Sequence, residues 1–235
     1  MSMTIAGLWR YPVKSLAGEA IIDATLTSDG IPGDRIVHVR GPEGIRTSRR
    51  QYKLLGLHGT LDEVGRALID GNAWDSPEAL ALVRGAAGDD AELVASGADD
   101  RFDVLPLLVA TDGAVAEFGR DIRRLRPNIL IGGVNGMAER EWEGRELRVG
   151  EVVIGLHSLR ARCPMTTVDP DQITRDREVL RDIGRRFGGK LALNAFVRRS
   201  GVVRVGDAIK LDVVSRGQFQ GDGDLDRSVS RGRRS

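Results

Sequence analysis

Short apolar runs recur along the chain, and most are bounded by glycine, proline or aspartate. Such runs between turn residues are typical of β-strands. The pattern predicts strands at Thr4–Trp9, Ala20–Leu26, Arg35–Arg40, Glu92–Ala95, Val104–Ala110, Asn128–Ile131, Glu151–Arg160, Ala192–Arg198, Val202–Val205 and Ala208–Val214. Many short strands separated by turns favour a closed or sandwiched β architecture over a doubly wound parallel sheet.

Three segments instead place apolar residues at the spacing of a helix that packs one face on a core. The first begins at Ser76-Pro77, with serine as N-cap and proline in the first helical position. The second follows a cap at Thr111 or Asp112 and continues to Leu125, where the nearby Arg-Pro pair ends it. The third spans Ile173–Phe187 and stops at the following glycine pair. These helices are expected to cap β layers.

Composition narrows the class of protein. The 235 residues are 41% apolar and 29% charged, the balance of a globular chain, and 35 basic residues nearly cancel 34 acidic ones. No net field makes nucleic acid or a membrane surface the expected partner, and no stretch approaches the ~20 apolar residues of a membrane-spanning helix. The single cysteine excludes an intramolecular disulfide and cysteine-rich metal sites, which favours a reducing, cytoplasmic location.

The chain divides into three predicted regions. A composition shift near Asp99–Arg101 suggests a boundary, so we expect an N-terminal module over residues 1–104 and a second domain over 105–214. Residues 215–235 contain few large apolar side chains and are expected to form a disordered tail.

The one thiol, Cys163, lies directly after a predicted strand. A lone cysteine is most often a small buried apolar residue. Its neighbours change that expectation, because Arg160 and Arg162 point to one side of an extended chain and would favour the thiolate. Pro164 ends strand pairing and leaves the sulfur at an irregular rim. The thiolate could then be a nucleophile, a persulfide carrier or a metal ligand.

Several other positively charged or polar segments could complete an anion site around this thiol. They are the strand exit with Lys14 and Ser15, the strand entry with Arg35, the basic and hydroxyl-rich stretch around Thr47, and the helix-to-strand junction with Arg126 and Asn128. Lysine and arginine suit phosphate, although most such charges on a protein surface are simply solvated. Their spacing leaves open whether they converge.

These segments, taken in order, resemble the MOSC superfamily, the molybdenum cofactor sulfurase C-terminal domain group with its N-terminal β-barrel module. The resemblance is carried by YPVKS from Tyr11, DR from Asp34, TSRRQ from Thr47, RPNILIGG from Arg126, EREWEG from Glu139, ARCPMTTVDPDQ from Ala161, EVLRDI from Glu178 and GVVRVGDAI from Gly201. It implies an α+β, β-rich fold: a MOSC-type β-barrel, an N-terminal β-barrel-like module and a few capping helices.

Within the superfamily the sequence is most similar to the amidoxime-reducing molybdenum enzymes. That resemblance implies that Cys163 binds molybdenum, and that Asp169 is a proton-handling carboxylate or caps the next turn. It further implies that the molybdenum cofactor, a molybdopterin, is bound by Lys14, Ser15, Arg35, Thr47, Arg126, Asn128 and Arg162. Where the family often has T-E-A-S at a helix start, this chain has Thr111–Ala114, so a hydroxyl contact is expected to be missing at Ala114.

The leading hypothesis is therefore a molybdenum-dependent oxidoreductase that reduces small N-hydroxylated substrates. With one cysteine and no fused iron-sulfur domain, a separate redox protein would supply the electrons. A first alternative is a sulfur carrier with a persulfide on Cys163. A second is a module that binds the molybdenum cofactor without catalysis.

Overall fold

The computed structural model describes residues 2–212. Its strands are β1 (Thr4–Arg10), β2 (Glu19–Ile21), β3 (Asp23–Leu26), β4 (Val37–Gly41), β5 (Gly44–Arg46), β6 (Gly59–Leu61), β7 (Ala67–Ile69), β8 (Asn72–Ala73), β9 (Glu92–Ala95), β10 (Leu107–Thr111), β11 (Ile129–Gly132), β12 (Glu146–Val149), β13 (Val152–Ala161), β14 (Lys190–Arg199), β15 (Gly201–Arg204) and β16 (Lys210–Asp212). Its α-helices are α1 (Pro77–Ala87), α2 (Ala98–Arg101), α3 (Asp112–Phe118) and α4 (Arg177–Phe187). The predicted tail at 215–235 lies outside the described residues.

The largest sheet closes on itself as a barrel. Its order is β16-β12-β13-β14-β10-β11-β1, with β2 paired to the end of β1. The first and last of these seven strands meet where Thr4 bridges Ala208 and the N–H of Ile5 donates to the Asp207 carbonyl at 2.9 Å. Closure leaves the barrel without a free sheet edge along this seam. The predicted β-rich fold with a barrel and a few helices is confirmed.

The barrel interior is aliphatic, because alternate side chains of each strand point inward. Its buried core includes Ile5, Leu8, Val109, Ile131, Leu147, Ile154 and Leu193. The β3–β15 ribbon adds Ala24, Leu26 and Val203 to the same core. The first strands of the chain therefore complete the domain formed by its second half.

A second apolar core belongs to the module between these parts of the chain. The small sheets β5-β4-β9 and β6-β7-β8 surround it with helix α1, and Val37, Leu54, Ile69 and Val83 are fully buried there. The helix begins as predicted: the Ser76 hydroxyl accepts the N–H of Ala79. Because β1 lies in the barrel and not in this module, the two cores interleave along the sequence. The domain boundary at residue 104 stays a prediction.

A third, smaller cluster packs helix α4 against α3 outside the barrel. Val179, Ile183 and Phe187 of α4 are buried with Phe118 of α3. The predicted stop of α4 is present, since Gly188 has a left-handed backbone (φ 61°). This packing fixes the segment between the end of β13 and the start of α4, which contains Cys163.

Two helices differ in length from the sequence prediction. Helix α3 ends at Phe118 and not at Leu125, because Gly119 turns left-handed (φ 65°) and Asp121 caps a separate 3-10 helix over Ile122–Arg124. Helix α4 begins at Arg177, since Asp176 accepts the N–H of Glu178 as N-cap. In both cases the apolar spacing extends beyond the helix. Apolar spacing alone does not show where a cap begins or ends a helix.

Strand boundaries shifted for local reasons as well. The predicted strand Ala20–Leu26 is two strands, separated at Ile22, whose side chain is 80% exposed. The strand predicted from Arg35 starts at Val37, because Arg35 has a left-handed backbone with φ 53°. The short strands β5 to β8 lack a strong apolar run and escaped prediction. Val213 and Val214, the end of the last predicted strand, lie outside the described residues.

Candidate active site

A cavity lies beside the first residues of β10 and β11 and the last residues of β13, and loops from both cores complete its wall. It encloses about 770 Å³ of empty space, including open solvent at its mouth. The connector between β9 and β10 forms one side through residues 101–105. The cavity thus lies where the two cores meet.

Eight of the nine sequence-predicted site residues line this single cavity. They are Lys14, Ser15, Arg35, Thr47, Arg126, Asn128, Arg162 and Cys163. They come from segments up to 149 positions apart in the chain, counted from residue 14 to residue 163, so the tertiary fold brings them together. Asp169 is not part of the lining. The chemical roles assigned to these residues stay predictions.

The lining is strongly cationic. Eight of its side chains carry positive charge and one, Asp103, carries negative charge: the cations are Lys14, Arg35, Arg49, Arg101, Arg124, Arg126, Arg160 and Arg162. Arg124 pairs with Asp169 outside the cavity at 2.8 Å, and Arg35 pairs with the buried carboxylate of Asp34. Among the described residues, Arg126 and Arg162 have no carboxylate within ion-pair distance. An excess of positive charge therefore faces the cavity.

Backbone conformation aims several of these side chains. Ser15, Arg35 and Arg126 have positive φ angles of 74°, 53° and 56°, which non-glycine residues adopt rarely and at an energetic cost. Such costs are tolerated where the surrounding structure over-determines them, and they cluster at functional sites. Here each one redirects the chain at the exit or entry of a strand so that its side chain reaches the cavity.

Two arginines contact the ring of Tyr11. The guanidinium carbon of Arg126 lies 4.2 Å from the ring centroid and that of Arg35 lies 5.2 Å from it. The Tyr11 hydroxyl donates to the Pro127 carbonyl at 2.9 Å, and burial raises the pKa of Tyr11 to about 12. The phenol therefore stays neutral and gives both cations a rigid aromatic face.

Burial makes Arg126 and Arg162 costly charges. Arg126 is buried, and one of its N–H groups donates to the Leu16 carbonyl at 2.5 Å. Burial lowers its pKa to about 10, and burial likewise lowers the pKa of Arg162. The Nη2 of Arg162 donates to the Leu125 carbonyl at 2.7 Å, but its Nε is buried without a partner. A buried donor without an acceptor is expensive, so the fold holds the Arg162 charge at the cavity wall at a cost in stability.

Cys163 lines the same cationic cavity. The residue is half-buried and precedes a 3-10 helix at Pro164–Thr167, whose Thr166 N–H and hydroxyl both hydrogen-bond to the Cys163 carbonyl. Proline in the first helical position ends strand β13 as the sequence predicted. Arg49, Arg160 and Arg162 line the same cavity as Cys163. The thiol is thus accessible and faces guanidinium groups, not apolar packing.

A carboxylate in the lining binds three of the cations. The two Asp103 oxygens lie 3.2 Å from Lys14 Nζ, 2.5 Å from Arg49 Nη2 and 3.2 Å from Arg160 Nη2. Burial opposes the charge on Asp103, but the nearby Lys14, Arg49 and Arg160 outweigh it and lower the pKa of the carboxyl. The group is ionised at neutral pH and neutralises part of the cavity.

Asn128 lines the cavity, but its amide is already used by the protein. Its oxygen accepts the Leu108 N–H at 3.1 Å, and its nitrogen donates to Trp9 O and to Asp34 Oδ2, both at 3.3 Å. Asp34 also accepts the Tyr11 N–H at 2.7 Å. Asn128 therefore joins β1, β10 and β11 and fixes the cavity wall.

Asp169 occupies a structural position. Its carboxylate accepts the N–H groups of Gln172 and Asp171 and pairs with Arg124. The hydrogen bonds from Gln172 and Asp171 lower the pKa of the carboxyl, and Arg124 lowers it further. Of the two roles left open by the sequence, the geometry matches the turn cap, and the group reaches the cavity only by holding Arg124.

Ala114 lies away from the cavity. It follows the Thr111 cap at the far end of β10, about 10 Å along the strand from Leu108. The Thr111 hydroxyl there donates to the buried Glu139 and accepts the Ala114 N–H. The expectation that Ala114 removes a hydroxyl contact from the ligand site does not apply to this cavity.

Sequence reasoning missed several lining residues. Arg49 stands two positions after Thr47 in a stretch that was singled out, so its own signal was present. Arg101, Asp103 and Arg124 had no distinguishing pattern, because each is one charge among many in a loop. Their importance depends on long-range contacts alone.

The described part of the chain has neither a metal site built from protein ligands alone nor a membrane-spanning helix. Residues 2–212 contain no group of three or more His, Cys, Asp or Glu side chains that could hold a metal ion. A metal at Cys163 would therefore need most of its ligands from the bound group itself. No helix in the same range has the length and apolarity to cross a bilayer. The cytoplasmic location stays a prediction.

The residues fit an anionic ligand that brings a thiophilic metal. The cavity has one accessible thiol, an excess of cations and a buried guanidinium Nε that lacks an acceptor. Thiolate suits molybdenum with dithiolene sulfur, and guanidinium suits phosphate. The molybdenum cofactor combines a dithiolene-bound metal with a phosphate, so the residues of this cavity are chemically compatible with it.

Comparisons with known proteins agree with this chemistry. The family model described as the MOSC domain matches residues 111–210, and the MOSC N-terminal beta barrel domain matches residues 2–75. Mitochondrial amidoxime reducing component 2 of Macaca fascicularis is 34% identical over 82 residues, which are 32% of this chain and 24% of that protein. Mitochondrial amidoxime-reducing component 1 of Homo sapiens is 30% identical over 128 residues, which are 46% of this chain and 37% of that protein.

These alignments span less than half the length of the relatives. Among solved structures, the YuaD protein from Bacillus subtilis superimposes with a TM-score of 0.51 at 12% identity. The superposition covers 92% of this chain and 98% of that one. At this identity it shows a shared fold alone.

Proposed function

This chain belongs to the MOSC superfamily, and from that premise we propose that it is a molybdenum-cofactor-dependent oxidoreductase that reduces small N-hydroxylated substrates. The finding that supports this most directly is that Cys163 lies in a cavity with Arg126 and Arg162, two cations that have no carboxylate partner within residues 2–212. The similarity to amidoxime-reducing proteins supports the proposed substrate class.

The cationic lining would hold the cofactor. We assign the cofactor's phosphate to Arg162 and Arg126, which line the cavity and have no carboxylate partner among the described residues. Lys14 and Arg35 extend the positive surface on the side of β1. Tyr11 keeps Arg126 and Arg35 in orientation, so little side-chain entropy is lost on binding.

Cys163 would supply the protein's ligand to the metal. Its half-buried position permits contact with both the cofactor and a substrate that enters from the mouth. Arg49 lines the same cavity and adds positive charge to the surroundings of the sulfur. When bound, the cofactor supplies a metal centre that alternates between two oxidation states.

The net reaction consumes two electrons and two protons for each substrate. The N–O bond breaks, an N–H bond forms and the oxygen leaves as water. The described residues contain no second cysteine and no metal cluster that could store electrons. We therefore assign electron delivery to a separate redox protein.

The test is to produce the protein in a cell competent for cofactor synthesis and to measure bound molybdenum by elemental analysis. Cys163→Ala should fold, because the side chain is half-buried and removal of the sulfur leaves no large cavity. We expect it to lose bound molybdenum and N-reductase activity. Gln172→Ala, which removes an exposed side chain and keeps the backbone N–H bound to Asp169, is the matched control and should retain both.

Retained molybdenum in Cys163→Ala would contradict the assignment. A sulfur carrier would instead show a labile addition of one sulfur atom on Cys163 in intact-mass spectrometry and would contain no molybdenum. A cofactor-binding module without catalysis would contain pterin but show no turnover with any reductant. A protein that contains none of these would share the fold of the family and not its activity.

A further inference from the structure

Asp103 occupies a position in the cavity that suits an anionic ligand. It is the one carboxylate among the lining residues, and its two oxygens contact Lys14, Arg49 and Arg160. These cations come from the exit of β1, the loop after β5 and the end of β13. An arrangement of three cations from separate elements around one pair of oxygens is the geometry expected for a bound phosphate-type anion.

The three cations depend on Asp103 for neutralisation. In the described part of the chain, Lys14, Arg49 and Arg160 form no ion pair with any other carboxylate. Lys14 additionally donates to the Asp100 carbonyl at 2.8 Å and Arg160 to Asn194 Oδ1 at 3.3 Å, and both acceptors are neutral. If the Asp103 carboxylate moved away, three positive charges would face the cavity beside Arg126 and Arg162.

Asp103 has few contacts in the described structure besides its three ion pairs. It follows helix α2 in the connector between β9 and β10, and its side chain is 31% exposed. Within residues 2–212 its backbone N–H and carbonyl form no backbone hydrogen bond. The three ion pairs are thus its main attachment, and partly exposed ion pairs exchange readily for a more highly charged competitor.

We propose that Asp103 is an internal counter-ion that competes with the ligand for Lys14, Arg49 and Arg160. An anion with a charge of about −2, such as a phosphoryl group, gains more from the three cations than a carboxylate of charge −1 and displaces it. Ligands that carry only a carboxylate cannot compete as well. Asp103 is therefore a specificity-determining residue that selects phosphoryl ligands, and this rests on the anion cavity of the proposed function.

The test measures binding of inorganic pyrophosphate and of acetate by calorimetry to the purified protein without added cofactor. Asp103→Asn removes the charge but keeps the size of the side chain. The matched control is Asp99→Asn on α2, which changes net charge equally at an acidic residue that pairs with no cation in the described structure. We expect the Kd of pyrophosphate to fall about tenfold in D103N, to change less than about twofold in D99N, and acetate to bind D103N better than wild type.

An unchanged or weakened pyrophosphate affinity in D103N would overturn the proposal, because Asp103 would then organise the cations and not compete for them. Failure of all three proteins to bind pyrophosphate would overturn it as well. A structure with pyrophosphate bound provides a second measurement: Asp103 must be separated from at least two of its three cations. The result is independent of the metal chemistry, since D103N could bind pyrophosphate more tightly in a protein that never contains molybdenum.

Discussion

Arg126 offers the sharpest test of how this cavity is built, because its charge serves binding at the expense of stability. Burial lowers its pKa well below the ordinary value for arginine, to about 10. At about 1.4 kcal/mol per pKa unit, the charged form is about 3 kcal/mol less favourable in the folded protein than in the unfolded chain. Since the folded pKa is the lower one, this cost is fully present at neutral pH and declines only as the pH rises through about 10.

Arg126→Met would remove that cost and keep much of the packing. Methionine retains a long side chain against the Tyr11 ring, and the left-handed backbone (φ 56°) is equally strained for both residues. The loss is the hydrogen bond to the Leu16 carbonyl, which leaves a buried acceptor unpaired at a cost of about 1–3 kcal/mol. The two effects nearly cancel, so the free energy of unfolding should change by less than about 2 kcal/mol.

Anion binding by Arg126→Met should weaken strongly, although the free energy of unfolding changes little. A lost charge-assisted hydrogen bond of about 1.5–3 kcal/mol raises the Kd of pyrophosphate about 10- to 100-fold. Urea unfolding at neutral pH measures the stability, and calorimetry measures the binding. The control is Arg123→Met, which removes an arginine that pairs with Asp121 and Asp171 outside the cavity lining and should leave pyrophosphate binding intact.

Two results would refute this reasoning. A destabilisation of about 4 kcal/mol or more would mean that Arg126 behaves like half of a buried ion pair and holds the fold together. Undiminished pyrophosphate affinity would mean that its charge does not reach the ligand. Either result would remove Arg126 from the proposed site.

Two further predictions concern residues outside the cavity lining. Glu139 is buried with a raised pKa, so the folded state prefers its protonated form; stability from this group is full below about pH 4.5 and is lost as the pH rises through the folded pKa. Urea unfolding from about pH 4 to pH 8 should therefore show Glu139→Gln gaining on the wild type as the pH rises, and a pH-independent difference would contradict this. Gly113→Ala should destabilise by more than about 2 kcal/mol, since its Cβ would clash with the Val134 carbonyl oxygen. Gly85→Ala, at an open position in the last turn of α1, should stabilise by about 0.5–1 kcal/mol in thermal unfolding, and equal effects of the two substitutions would refute the packing argument.

Local patterns predicted the parts of this fold that depend on neighbours in sequence. The Ser76 cap, the Gly188 stop and the alternating strands of the barrel all follow from interactions within a few residues. The breaks did not follow in the same way. The apolar spacing continued past Gly119 and predicted one helix to Leu125. In the structure Gly119 adopts a left-handed conformation and ends α3 at Phe118.

The candidate site divides along the same line. Motif resemblance selected Cys163 and the cationic residues around it, and the structure gathers them into one cavity. It could not show that the amide of Asn128 is already hydrogen-bonded on both sides, or that the Asp169 carboxylate is directed to a turn and to Arg124. Residue type states what a side chain is able to bind, and only the neighbours in space decide what it does bind.

The sequence by itself indicated the class of chemistry: one thiol, a net charge of only +1, and cationic segments adjacent to predicted strands. The tertiary structure alone decided which charges matter, because closure of the barrel by β1 joins residues from both ends of the chain at one cavity. It also decided how those charges are balanced, with Arg162 left short of an acceptor and Asp103 placed among three cations. The physical reason is that electrostatic energies depend on distance and burial, and neither is written in the order of residues.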